Sequence, residues 1–206
     1  MVQLRGRAWE CEAELKAIFA TCLVFKLAHV PSFHPAREVL DRGAVRPDDA
    51  SAMATAAAVI QVPDAYGYVV LCVGVGSFLV TTMMGGAVMA ARKKFNVWYP
   101  NLYAVPGYHK NADEFNRVQR GHQNMFETLS SVITMTLLGG LKHPISCSVA
   151  YCLYLLGSYF YLLGYSDSAL DVKMARYKKG GGIKWIGILW SMGCNVSLAG
   201  SMLGWW

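Results

Sequence analysis

The stretch "RVQRGHQNMFE", Arg117 to Glu127, places arginines, amides, a histidine and a glutamate at the entrance of "TLSSVITMTLLGG", Thr128 to Gly140, which carries no charge at all. If the segment is helical, each residue turns about 100° from the last. Arg117, Arg120, Asn124 and Glu127 stand at offsets of 0, 3, 7 and 10, so they share a sector of roughly 80°. His122 points nearly the opposite way. A charged side chain deep in a bilayer costs at least ~2.5 kcal/mol and therefore faces protein or water. Two readings of the stripe are open. Arg120 and Glu127 either pair across neighbouring helices to fix packing, or the stripe is a seat for a small zwitterion. In the second case arginine clamps carboxylates bidentately and Glu127 takes an ammonium.

What surrounds the stripe makes a bilayer the relevant solvent. Of 206 residues, 54% are hydrophobic and 16% charged, against about 25% charged in an ordinary soluble domain. A spanning helix needs about 20 mostly apolar residues. Ala65 to Ala91, Pro144 to Ser166 and Trp185 to Trp206 each lack Asp, Glu, Lys and Arg. A fourth span, about Val118 to Leu141, works only if Arg120 and Glu127 are accepted within it. The pattern predicts an all-α, integral-membrane chain with four helices: about Asp64 to Lys94, Asp113 to Leu141, Pro144 to Tyr165 and Gly182 to Leu203.

The net charge of +6 forms no nucleic-acid reader, so no nucleic-acid partner is expected. The cations gather instead at the ends of apolar runs, in "ARKKF" (Ala91 to Phe95) and "KMARYKKGGGIK" (Lys173 to Lys184). By the positive-inside rule both loops are cytosolic and both termini lumenal. Trp98, Tyr99, Tyr103 and Tyr108 suit an interfacial belt, and Gly74, Gly76, Gly85 and Gly86 permit close helix packing. The six cysteines show no metal or disulfide spacing, nor do the histidines, so no metal is expected. The sequon at Asn195 falls inside the last span. Residues 1–52 mix acids and bases without period, as in "REVLDRGAVRPDDASA", and are expected to be a poorly defined extension. The fold proper is expected over 53–206.

A second stripe lies on the third helix, where Tyr154, Tyr161 and Tyr165 occupy one face within about 40°. These tyrosines are either interfacial anchors or a pocket wall that donates hydrogen bonds. The loop beyond them adds Lys173, Arg176, Lys178 and Lys179 on the side of Arg92, Lys93 and Arg117.

In combination, "FNRVQRGHQNMFE", "YLLGY" and "ARKKFNVWYPNLY" resemble the MAPEG family, the membrane-associated proteins of eicosanoid and glutathione metabolism. The likeness runs in order from about Met53 to Trp206 and is nearest to the microsomal glutathione S-transferase 3 branch. Gly121 stands where that branch usually keeps alanine. The resemblance implies a four-helix bundle, a homotrimer and glutathione held between subunits near the cytosolic face. It implies glutathione-binding roles for Arg92, Arg117, Arg120, Asn124, Glu127, Tyr161 and Tyr165. Arg176 matches the arginine that stabilises the thiolate, with Lys173 as the alternative because the loop from Ser166 is longer than usual. Thr128 stands where leukotriene-forming members keep tyrosine, which weighs against leukotriene C4 synthesis specifically.

The implied chemistry needs glutathione as co-substrate and no metal. A free thiol has a pKa of about 8.5, and a guanidinium beside the sulfur favours the anion. The thiolate attacks a lipophilic electrophile or a lipid hydroperoxide arriving from the membrane lipid. The endoplasmic reticulum is the expected membrane, with the outer mitochondrial membrane as the alternative. Two other classes compete: a non-catalytic regulatory scaffold of the same fold, and a small transporter using the polar face.

Overall fold

The structure is a computed structural model that describes residues 62–205. The expectation for residues 1–52 lies outside the described residues. Those residues form four long helices and one short one: α1 Tyr66–Phe95, α2 Ala112–Gly140, α3 Pro144–Tyr165, α4 Val172–Lys178 and α5 Ile183–Met202. Among the described residues there is no strand.

Local chemistry sets the ends. Basic residues Arg92, Lys93 and Lys94 fill the last turn of α1, where they oppose the negative end of the helix dipole. Asn96 then stops the helix in the left-handed region at φ 55, its neighbour Val97 donating back to the Arg92 carbonyl at 3.1 Å. Asp113 and Glu114 occupy the first turn of α2, the favourable end for acids. Pro144 opens α3, where its missing N–H costs nothing. Asp171 caps α4 by accepting from the Lys173 N–H at 3.4 Å. Helix α4 falls in a stretch that the sequence presents as a basic loop.

Packing centres on α3, which lies against α1, α2, α4 and α5. Tyr151, Tyr154, Met125, Val132 and Leu162 are buried at its contacts. The close approaches are made by glycine, though mainly not by those expected on α1. A Cβ on Gly157 would lie 2.1 Å from the Lys184 nitrogen, and one on Gly187 would lie 2.3 Å from the Ala150 oxygen. Around Gly74 and Gly86 there is nothing within 4 Å.

Both basic segments lie at one end of the helices. There Arg92 sits over the Phe115 ring, and Arg117 reaches the carbonyl of Tyr165. At the other end Tyr66 donates to the Leu137 carbonyl at 3.0 Å and His143 pairs with Ser197 at 2.9 Å. Among the described residues two helices, α1 and α3, are long and apolar enough to cross a bilayer. The polar stripe dilutes α2, and Lys184, Asn195 and several small residues dilute α5. Asn195 is tied within the helices, donating to Met135 and Ser191 carbonyls at 2.6 and 2.7 Å.

Candidate functional site

The stripe on α2 forms as its periodicity demands, and it is open. Arg120 Nη1 meets Glu127 Oε1 at 2.7 Å, with the two side chains 48% and 42% exposed. Asn124 donates to the other carboxylate oxygen at 3.3 Å. The Arg120–Glu127 pair thus runs along one helix instead of joining two. A packing clamp between helices would be buried. This one faces outward.

Arg117 stands one turn nearer the basic end and is turned inward. Its guanidinium donates to the carbonyls of Tyr165, Asp167 and Leu170 at 2.7, 2.6 and 3.1 Å. It therefore holds the segment after α3 in place. Asp167 in that segment also pairs with Lys179 at 2.9 Å. The hydrogen bond from Lys179 holds the Asp167 carboxyl below its usual range, aided by the Ala169 N–H and against a small cost of burial.

Arg92 does not join the stripe. It is buried, donates to the carbonyls of Val97, Asn101 and Leu102, and stacks 4.5 Å from the Tyr99 ring. It organises the loop between α1 and α2, which Asn116 pins further by bonding both backbone groups of Ala104 at 2.7 and 3.0 Å.

The tyrosines divide. Tyr161 and Tyr165 lie together with rings 5.9 Å apart, and Tyr165 stacks with both Arg117 and Arg176 at 5.7 Å. Tyr154, expected on the same face, is sealed against α2, where its hydroxyl donates to the Met125 carbonyl at 2.9 Å and meets Thr128 at 3.1 Å. Of the three tyrosines on this face only Tyr165 borders the open groove at this end, since Tyr161 is buried like Tyr154. Arg176 stacks on the rings of Tyr165 and Tyr177 at 5.7 and 5.8 Å, with its Nε buried, and is not among the residues that border that groove. Lys173 is exposed, with its backbone N–H in the α4 cap.

An open groove of about 720 Å³ runs along this end, bounded by Tyr103, Asp113, Glu114, Arg117, Arg120 and Tyr165. Both carboxylates and guanidiniums border it, which suits a zwitterionic ligand. His122 turns toward α1, its Nε2 4.0 Å from where a Cβ on Gly85 would stand, with its ring 4.9 Å from Phe126. Gly121 lets α2 press on α3, since a Cβ there would lie 2.9 Å from Leu162 Cδ1 and 3.1 Å from its Cα.

Three site residues escape the sequence reading. Asp113 and Glu114 read as helix-start acids, which they also are. Lys184 reads as one more cation of the basic loop, yet it is fully buried and donates to Asn124 Oδ1. Its signal is position: a lysine in the first turn of a helix opposes the helix dipole.

With the geometry in place, the comparison with known proteins is informative. A model of the MAPEG family matches residues 70–202, which takes in α2, α3, α4, α5 and all but the first residues of α1.

Proposed function

This chain belongs to the MAPEG family, and on that premise we propose that it is an integral-membrane, glutathione-using enzyme of the microsomal glutathione S-transferase 3 type. It conjugates glutathione to lipophilic electrophiles or uses it to reduce lipid hydroperoxides. The observation that carries this reading is the half-exposed Arg120–Asn124–Glu127 stripe. Lipid does not tolerate such a face, so ligand and a neighbouring subunit cover it. A homotrimer supplies that neighbour.

In this reading Arg120 clamps a carboxylate of glutathione, and the acidic side chains of Glu127, Asp113 and Glu114 face its ammonium. Tyr165 forms the wall, with the buried Tyr161 packed behind it. Arg117 and Arg92 contribute by holding the backbone that frames the groove. Arg176, stacked on Tyr165, is the guanidinium assigned to the sulfur. Each unit by which it lowers the thiol pKa corresponds to about 1.4 kcal/mol of preference for the anion.

The thiolate then forms a carbon–sulfur bond as the leaving group departs. With a hydroperoxide it attacks the terminal oxygen, the O–O bond breaks and an alcohol leaves. A second glutathione converts the resulting sulfenic acid to disulfide and water. The basic end faces the cytosol, in the endoplasmic reticulum membrane.

One observation favours a non-catalytic scaffold instead: Arg117 is satisfied by its own chain's carbonyls. The test is an assay of purified protein with glutathione against a lipid hydroperoxide and against an aromatic electrophile. Turnover with either supports the enzyme. No turnover with both, together with no glutathione binding, supports the scaffold.

A further inference from the structure

Lys184 is the second residue of α5 and is 0% exposed. It is held from both sides, its backbone against Gly157 and its ammonium 4.5 Å from the centre of the Tyr161 ring. The ion pairs among the described residues are Arg120–Glu127 and Lys179–Asp167, so this buried cation has no carboxylate in contact. Burial without a carboxylate is costly, and so is a cation at the positive end of a helix. Stability does not account for the residue.

We propose that Lys184 is a positioning residue for the ligand seat, acting through Asn124; this rests on the glutathione reading above. An ammonium group can only donate. Its contact with Asn124 therefore dictates that the amide oxygen faces inward. The amide nitrogen is thereby turned to the open side, where one N–H goes to Glu127 Oε2 at 3.3 Å. The other N–H is presented to the ligand.

The seat opposite Asn124 thus takes a hydrogen-bond acceptor, a carboxylate or peptide carbonyl of the tripeptide, and not its ammonium. Without Lys184 the amide is free to turn over, which sets its oxygen against the Glu127 carboxylate. Lys184, being sealed, does not touch the ligand.

The test uses the full chain in detergent and calorimetric titration with glutathione. The proteins compared are the wild type, Lys184→Met, Asn124→Ala and the double variant, with thermal unfolding measured in the absence of glutathione. Lys184→Met is expected to weaken glutathione by about tenfold without lowering the unfolding temperature, because it removes a costly buried charge. The double variant is expected to bind no more weakly than Asn124→Ala alone. Losses that multiply in the double variant overturn the proposal, as does a Lys184→Met affinity within about twofold of wild type.

Asn124→Asp guards against a misfolded lysine variant. It keeps the bond to Lys184 and deletes the outward N–H, so it is expected to fold and to bind as weakly as Asn124→Ala. Wild-type affinity in Asn124→Asp overturns the proposal. A wild-type protein that binds no glutathione overturns the glutathione reading itself, and this inference with it.

Discussion

Arg120 and Glu127 hold each other at 2.7 Å on the outside of a helix, a place where neither charge can be left to hydrocarbon. Exposed pairs of this kind add at most about 1 kcal/mol to stability, so stability does not account for the pair. In the proposed mechanism, turnover depends on Arg176. Arg176→Ala is expected to lower kcat by at least about tenfold, one unit of thiol pKa, while glutathione affinity changes less than about threefold. Separate determination of kcat and of glutathione binding checks this, and unchanged kcat removes Arg176 from the mechanism. The stripe was legible because helical periodicity alone sorts Arg120, Asn124 and Glu127 from His122. The inward turn of Arg92 and Arg117 was not, because which carbonyls lie within reach depends on how the loops fold back. Lys184 was hidden by its neighbours: in a run of lysines, nothing local marks the one that is buried.

At the scale of elements, close packing rests on particular glycines. Gly157→Ala sets a methyl group against the backbone of α5 and is expected to cost at least about 2 kcal/mol, as overpacking does. Gly86→Ala on α1 meets open space within the chain and is expected to be neutral or to stabilise by up to about 1 kcal/mol. Unfolding in detergent with both variants checks the contrast, and equal effects contradict it. The segment after α3 has a pH signature. Because Asp167 is held below its unfolded value, its tie to Lys179 contributes above the ordinary carboxylate range and is lost as pH falls through the folded value. The effect is at most about 1 kcal/mol for so exposed a pair. The protection of α4 amides, taken as the intrinsic exchange rate at each pH divided by the observed one, is expected to fall on acidification in the wild type and to vary less with pH in Asp167→Asn. Helix limits were readable within two residues from apolar runs and caps, Pro144–Tyr165 as expected. Helix α4 was not, since seven residues offer too little period to rise above a loop's charge.

For the whole molecule, the apolar runs and the family match point to a membrane protein. The basic end holds a groove that Arg117 and Arg120 border, with Arg92 and Lys184 buried in the helices and loop around it. Helix α1 leaves Val70, Val75 and Phe78 more than half exposed, a surface suited to lipid or to the next subunit of a trimer. Oligomeric state was not legible in the residues themselves, because an outward apolar face reads alike for either. The central claim is that this end seats glutathione and ionises its thiol. The direct measurement is ultraviolet difference absorbance of the purified, detergent-solubilised chain on adding glutathione at neutral pH. A saturable thiolate band that is lost in Arg176→Ala is the predicted result. No band and no glutathione binding in the wild type would contradict it.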